Sequence, residues 1–363
     1  MQNIYNFSAG PAMLPQEVMQ QAQEEFTDWQ NHGTSVMEVS HRGKPFIEVA
    51  EQAEADLREL LGISCNYTVL FMHGGGRGQF SAVPLNISKP NGLSEHLVTG
   101  QWSVSAEAEA QKYMKTHIVA TQCIIDGKTT VPTQKDWKIS ENADYFHYCS
   151  NETVDGIEID WVPKSESGNV PIVADMSSNI LSKPINIDDF GIIYAGAQKN
   201  IGPSGLSVVV VRNDLIGLAR QETPSILNYE LQAKSGSMYN TPPTFSWYLA
   251  GLVFKWLKQQ GGLASIAKVN QEKSELLYKQ IDKTGFYQNS VANEYRSKMN
   301  VTFQLNNDAL NAEFLKQAEQ SGLVALKGHR AVGGMRASIY NAMPIEGVKA
   351  LVSFMQEFER KNG

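Results

Sequence analysis

Between Tyr67 and Arg212 the chain repeats one pattern: a short apolar run, then a helical stretch, then another run. The runs are Tyr67 to Met72, His96 to Thr99, His117 to Thr121, Tyr145 to Cys149, Pro171 to Met176, Gly191 to Gly196 and Ser207 to Arg212. Each suits a strand in length, and Val208 to Val211 is a β-branched core with no polar face. Runs without alternation suit strands covered on both sides, and alternation with helices suits parallel pairing. The expected fold class is therefore α/β, a large domain with a mostly parallel central sheet buried on both faces.

Flanking stretches fill out this frame. Pro15 suits the first turn of a helix whose face carries Val18, Ala22, Phe26 and Trp29. A second helix reads from about Pro45, with Phe46, Val49, Ala50, Ala53, Leu57, Leu60 and Leu61 on its stripe and Gly62 as its stop. From Thr244 the pattern changes to long helices, through Lys258 and from Leu263 to about Ile281. A strand at Met299 to Gln304, a helix at Ala309 to Ser321, a strand at Arg336 to Tyr340 and a last helix at Ile345 to Arg360 follow. This reads as a smaller α+β C-terminal domain, as a chain of 363 residues exceeds what one core usually serves. The expected division is an N-terminal segment 1–15, a large domain 16–258 and a small domain 259–363.

Charge and composition narrow the function. With 31 Lys+Arg against 38 Asp+Glu, the net charge of −7 argues against a basic nucleic-acid binder. No apolar segment is long enough for a membrane helix, and the start carries neither a basic nor an apolar leader region, so a cytoplasmic setting is expected. Cys65, Cys123 and Cys149 lack metal-ligand spacing and are expected to be buried free thiols.

Three local constellations carry chemistry. His73-Gly74-Gly75-Gly76-Arg77-Gly78-Gln79 follows a strand and opens a helix, the arrangement in which backbone N–H groups approach a phosphate. Gln79 stands where a dinucleotide fingerprint needs glycine, so a nicotinamide enzyme is not supported. Gly127-Lys128-Thr129 lacks the earlier glycine of an NTP-binding loop, since Gln122 stands there. Asp175 ends an apolar strand, where ligands bind in open α/β sheets. Lys199 follows another strand in a loop of small residues, where partial desolvation would make it nucleophilic. Each feature alone is ordinary: a tight turn, a capping Asp, a surface Lys. Together they are the parts of a pyridoxal phosphate enzyme: a phosphate anchor, a carboxylate for the pyridinium nitrogen and a lysine for the Schiff base.

The runs Phe7 to Pro15, Glu38-Val39-Ser40-His41-Arg42-Gly43, His73 to Gln79, Tyr194 to Pro203, Tyr239 to Thr244, Lys327 to Arg330 and Gly333 to Arg336 resemble the phosphoserine aminotransferase family within the class V aminotransferases. The resemblance spans essentially the whole chain. It implies a fold-type I pyridoxal 5'-phosphate transferase that acts as a homodimer with shared sites. Its reaction would be reversible amino transfer between glutamate and 3-phosphohydroxypyruvate in serine biosynthesis, with 4-phosphohydroxythreonine in pyridoxine biosynthesis as a further substrate.

Carried over residue by residue, the resemblance makes Lys199 the Schiff-base lysine and proton shuttle, Asp175 the partner of the pyridine nitrogen and Trp102 the stacking ring. Thr153 would bond the phenolic oxygen. Gly76, Arg77 and Gln198 would hold the phosphate, with Asn240 and Thr241 arriving from the partner subunit. Arg336 would take the α-carboxylate, and His41, Arg42, His329 and Arg330 would lie near the distal anion, with Arg77 adding positive charge. One departure is Ala9, where some relatives place Ser at a substrate contact; a backbone N–H would have to replace it. No metal is expected. A sulfur-mobilising relative would need a reactive cysteine in the C-terminal domain, and none follows Cys149. A regulator would need an added DNA-binding region, and an NTP-binding protein would lack the visible absorbance of a Schiff base.

Overall fold

The seven apolar runs become the strands of one sheet in the computed structural model, which describes residues 3–363. Across the sheet the order is Tyr67–Met72, Ser207–Arg212, Ile192–Gly196, Ile172–Asp175, Tyr145–Cys149, Leu93–Val98 and Lys115–Thr121. Ser207–Arg212 runs antiparallel to both its neighbours, and the remaining pairs are parallel. Its reversal follows from the connection: residues 197–206 are too few for a crossover helix, so the chain returns as a neighbouring antiparallel strand. The expected mostly parallel α/β sheet is present.

Burial on both faces holds for the inner strands and fails at one edge. Tyr145–Cys149, Ile172–Asp175 and Ile192–Gly196 are buried at every position. One face packs Phe71, Ala174 and Val208 against the helices Lys44–Leu61 and Thr244–Gln259, through Leu57 and Phe254. The other packs Leu70, Val173 and Tyr194 with Phe80 and Ala106, on the helices Gly75–Ile87 and Gln101–Ala110. Lys115–Thr121 has only one neighbour and exposes Lys115, His117, Ile118 and Thr121. Its period is that of an edge strand, with charge at the rim.

Two further expectations are corrected. The first helix covers only Gln16–Glu24; Asp28 Oδ1 accepts the Gly33 N–H at 2.7 Å in the turn that follows. Phe26 is left 48% exposed, whereas Trp29 reaches the core from a short 3-10 turn. The cysteines are all free, but only Cys149 is buried; Cys65 is exposed and Cys123 half-buried. The second helix behaves as its stripe implies, running over Lys44–Leu61 and stopping at Gly62 with φ 65.

The C-terminal part has its own core. An antiparallel sheet of Tyr287–Gln288, Asn300–Leu305 and Met335–Ser338 packs through Val301, Phe303 and Ala337 on Leu277, Leu351 and Met355 of the helices Gly262–Ile281 and Ile345–Asn362. The N-terminal segment belongs to this layer. Tyr5–Asn6 pairs with Leu323–Val324, and Phe7 is fully buried in the same core. From there the chain passes to the large sheet, where Ala12 N–H bonds the Gln198 carbonyl at 2.9 Å.

Candidate active site

Four parallel strands place their carboxyl ends on one side of the sheet, and each is followed by a segment carrying a polar group. After Met72 comes the glycine turn, after Cys149 comes Asn151 to Asp155, after Asp175 comes Ser177, and after Gly196 comes Lys199. A cavity of about 210 Å³ opens there, lined by Gly74, Gly75, Gly76, Arg77, Phe80, Trp102, Asp175, Ser177, Gln198 and Lys199. The location is the one the sheet's topology favours for a ligand.

The glycine turn needs its glycines. Gly74 and Gly75 have φ of 94 and 60, a region that side chains disfavour, and the helix Gly75–Ile87 starts there. At Gly76 the need is space: a Cβ would come within 3.2 Å of Ser177 Oγ and 3.7 Å of Asp175 Oδ2. Gln79, the residue that breaks the dinucleotide pattern, is fully buried and accepts a 2.8 Å bond from the Tyr229 hydroxyl. It is a core residue whose position a glycine could not serve.

Asp175 and Lys199 face this cavity from adjacent strand ends, and both are buried. Burial pushes the Asp175 carboxyl above the usual carboxylate range, while the Lys199 charge pulls it back and the Ser177 N–H bonds Oδ1 at 2.8 Å. Burial likewise pushes the Lys199 ammonium below its ordinary value, with Asp175 opposing most strongly. Each group is thus held nearer to neutrality than a free side chain, and each is the other's main electrostatic support. Lys199 Nζ donates to Thr153 Oγ1 at 2.6 Å. The Trp102 ring lies 5.4 Å from that nitrogen and 5.1 Å from the Arg77 guanidinium carbon. Its indole Nε1 is buried without a partner among the described residues.

Other residues named from sequence fall into two groups. Gln198 lines the cavity, and Arg336 is half-buried beside it, donating from Nη1 to the Thr153 carbonyl at 3.2 Å. Ala9 presents its carbonyl to Tyr340, whose hydroxyl donates at 2.7 Å. The second group does not line this cavity. His41 is half-buried with Arg42 Nε 3.4 Å from its Nε2, and Arg42, His329, Arg330, Asn240 and Thr241 are exposed. Thr241 is held on the near side of the glycine turn, its carbonyl 3.1 Å from His73 Nε2. Burial pushes the Asp155 carboxyl up, opposed by the Gln101 N–H and, more weakly, by His329.

Sequence reading missed several groups. Ser177 Oγ accepts the Gly196 N–H at 3.0 Å, tying the Asp175 strand end to the Lys199 strand end. Tyr194 lies beside Asp175 in register and meets His147 Nε2 at 2.8 Å. Glu152 caps the helix that carries Trp102. Each contact joins residues nearly twenty to fifty positions apart, so no local spacing marks them, although Tyr194 and His147 stood inside runs already singled out.

The family described as Aminotransferase class-V matches residues 4–351 of this chain. The chain is 45% identical to a phosphoserine aminotransferase from Bacillus circulans subsp. alkalophilus, with a TM-score of 0.96 and 99% of each chain covered. A phosphoserine aminotransferase studied for radiation damage of its Schiff base is 43% identical, with a TM-score of 0.95, covering 99% of this chain and all of its own. A PLP-bound phosphoserine aminotransferase from Trichomonas vaginalis is 41% identical at a TM-score of 0.92, over 98% of this chain and 100% of that one.

Proposed function

The chain belongs to the class-V aminotransferases, and from that premise we propose that it catalyses the phosphoserine aminotransferase reaction with pyridoxal 5'-phosphate. In the forward direction glutamate gives its amino group and 3-phosphohydroxypyruvate its keto oxygen, so 2-oxoglutarate and O-phosphoserine result. The observation that carries this reading is the pairing of buried Lys199 with buried Asp175 across one cavity closed by a glycine turn and an indole.

The residues present fit the cofactor. A Cβ at Gly76 would crowd Ser177 Oγ at 3.2 Å, the strand ends leave a cavity at that point, and the indole Nε1 of Trp102 is buried with no partner among the described residues. Gly76, Arg77 and Gln198 would hold the phosphate, with the positive end of the helix Gly75–Ile87 behind them. Trp102 would cover the ring, Thr153 would meet its phenolic oxygen, and Asp175 would keep a proton on its ring nitrogen. When bound, the cofactor supplies a carbonyl that condenses with amines and an electron-withdrawing ring.

The chain's own part in the chemistry is proton handling and orientation. Lys199 Nζ, its charge disfavoured by burial, would take the proton from the Cα of the amino donor and, in the second half of the exchange, give one to the Cα of the keto acid from the same side. Arg336, fixed on the strand Met335–Ser338 and against the Thr153 carbonyl, orients the α-carboxylate. The distal anion, a phosphate on one substrate and a carboxylate on the other, falls to His41, Arg42, His329 and Arg330. The resemblance gives Asn240 and Thr241 to the neighbouring site of a homodimer, and their place outside the cavity of their own chain supports that reading. The division at residues 15 and 258 belongs to the same proposal: a separate core lies behind Arg336, although Leu263, Ile266, Val291 and Tyr295 pack into the core of the large sheet.

The test is a purified-protein assay. Visible absorbance from bound cofactor, and transfer from phosphoserine to 2-oxoglutarate with far weaker use of alanine, is the expected result. Arg330→Ala should cost roughly 2–5 kcal/mol in kcat/KM for phosphoserine and much less for alanine. Equal use of both amino acids by the wild-type chain would refute the assignment of substrate. The ratio of kcat/KM for phosphoserine and phosphohydroxythreonine would measure the proposed second substrate.

A further inference from the structure

Glu152 is fully buried, and its carboxylate meets the first turn of the helix Gln101–Ala110, with the Cys149 thiol also beside it. It accepts the Trp102 N–H at 3.0 Å, the Ser103 N–H at 2.8 Å and the Ser103 hydroxyl at 2.6 Å. Asp155 Oδ2 takes the next N–H, that of Gln101, at 3.0 Å. The donors left over at a helix start are thereby satisfied by side chains arriving from another segment. The approach is possible because residue 100 is Gly: a Cβ there would sit 2.4 Å from Asp155 Oδ2 and 2.6 Å from Glu152 Cδ.

The residue after Glu152 is Thr153, whose hydroxyl receives Lys199 Nζ. Consecutive residues of one short strand and its turn therefore grip the two sides of the cavity, Glu152 the backbone under the indole and Thr153 the ammonium. The backbone between them is itself fixed, since Glu152 pairs with Ile157 and its carbonyl accepts the Gly156 N–H at 2.9 Å. We infer that Glu152 is a positioning residue: Glu152 and Thr153 together form a rigid gauge that sets the distance and tilt of the Trp102 ring relative to Lys199. When ionised, the carboxylate accepts only and cannot turn a donor toward the helix. Burial makes that charge costly, raising its pKa to about 7, and the Ser103 and Trp102 donors offset part of the cost. The inference rests on the pyridoxal phosphate reading and adds a residue to it that touches neither cofactor nor substrate.

The experiment measures cofactor binding and its optical signature in the whole enzyme. Glu152→Gln keeps the shape but confronts one of the helix donors with an amide NH₂. It should raise the dissociation constant for pyridoxal phosphate about tenfold and alter the visible circular dichroism of the bound cofactor. Ser103→Ala, which removes one of the three donors together with the acceptor of the Thr99 and Gly100 N–H groups, should move both readouts in the same direction. In a Trp102→Ala background, Glu152→Gln should add no further loss of affinity, because the gauge then has no ring to place. Unchanged affinity and dichroism in both single variants, with the wild type binding normally, would overturn this inference alone. An equal tenfold loss in the Trp102→Ala background would also overturn it, since Glu152 would then act on the site by general support. A wild-type chain that takes up no pyridoxal phosphate would overturn the functional reading as well.

Discussion

Lys199 donates its 2.6 Å hydrogen bond to Thr153, a neutral acceptor, although the buried carboxylate of Asp175 is its largest electrostatic partner. The division matters for reactivity. A carboxylate in direct contact would hold the ammonium protonated; a hydroxyl orients the amine while leaving burial to favour its neutral form. Lys199 is thus aimed into the cavity and readied to lose a proton, and the Asp175 carboxyl stays available for another task.

Lys199→Ala should fold, though less stably, because among the described residues the side chain hydrogen-bonds the Thr153 hydroxyl alone and its burial penalty goes with it, while Asp175 loses its main electrostatic support. The variant should lose borohydride-fixable attachment of cofactor, read by mass spectrometry, and nearly all turnover. Retention of a reducible adduct would move the lysine role elsewhere in the chain.

Asp175→Asn should slow proton abstraction from substrate by several orders of magnitude while binding cofactor. The amide cannot hold a proton on the ring nitrogen as a carboxylate does, and the lost effect falls on the transition state rather than on binding. Single-turnover kinetics with phosphoserine give the measurement. Unchanged rates would show that Asp175 serves only to cap Ser177.

Lys273, far from the cavity, gives a pH signature. It is fully buried and donates to the carbonyls of Ile339, Tyr340 and Met343 at 3.0, 2.7 and 3.0 Å, and burial pushes its pKa down from 10.5 to about 7. Between those values the unfolded chain binds the proton and the folded chain does not. Stability contributed by this group therefore rises with pH across that window and is lowest below it. Urea midpoints of the wild type should climb from pH 7 towards pH 10 more than those of Lys273→Met. The variant should also be less stable at pH 9 by roughly 1–3 kcal/mol, since the carbonyls lose the two N–H donors of the neutral amine.

Mixed dimers test the shared site. Lys199→Ala and the Asn240→Ala/Thr241→Ala double variant should each be nearly inactive. Co-refolded, they should regain activity at about one site per mixed dimer, as two-fold symmetry requires. Absence of rescue, with mixed dimers confirmed by mass, would mean that residues 240 and 241 serve their own chain, on the side where Thr241 already meets His73.

Much of this site was legible in the sequence because its parts are local. Apolar runs of strand length mark the sheet, a glycine cluster after a strand marks a turn with positive φ, and Asp175 and Lys199 stand at strand ends where a doubly covered sheet opens to ligands. Backbone conformation and hydrophobic period depend on neighbours within a few residues, which is why these features survive without tertiary information. Where a period was the only guide it misled: Phe26 lay in phase with the first helix, but the turn closed by Asp28 and Gly33 ended that helix before the stripe did.

What the tertiary structure alone decided is every distance across the cavity. Strand order brings Asn151 to Asp155 between the helix of Trp102 and the loop of Lys199, so Glu152 meets residues about fifty positions earlier and Thr153 one 46 positions later. Sequence offers no register for such pairs, since a carboxylate beside a threonine looks the same on any solvated loop. The same holds for His41 and Arg42, which the motif places with the anion site and the fold leaves outside the cavity of their own chain. Composition and period determine which segments are strands and helices; the partners of a buried charge are determined by desolvation, which exists only once the layers have packed.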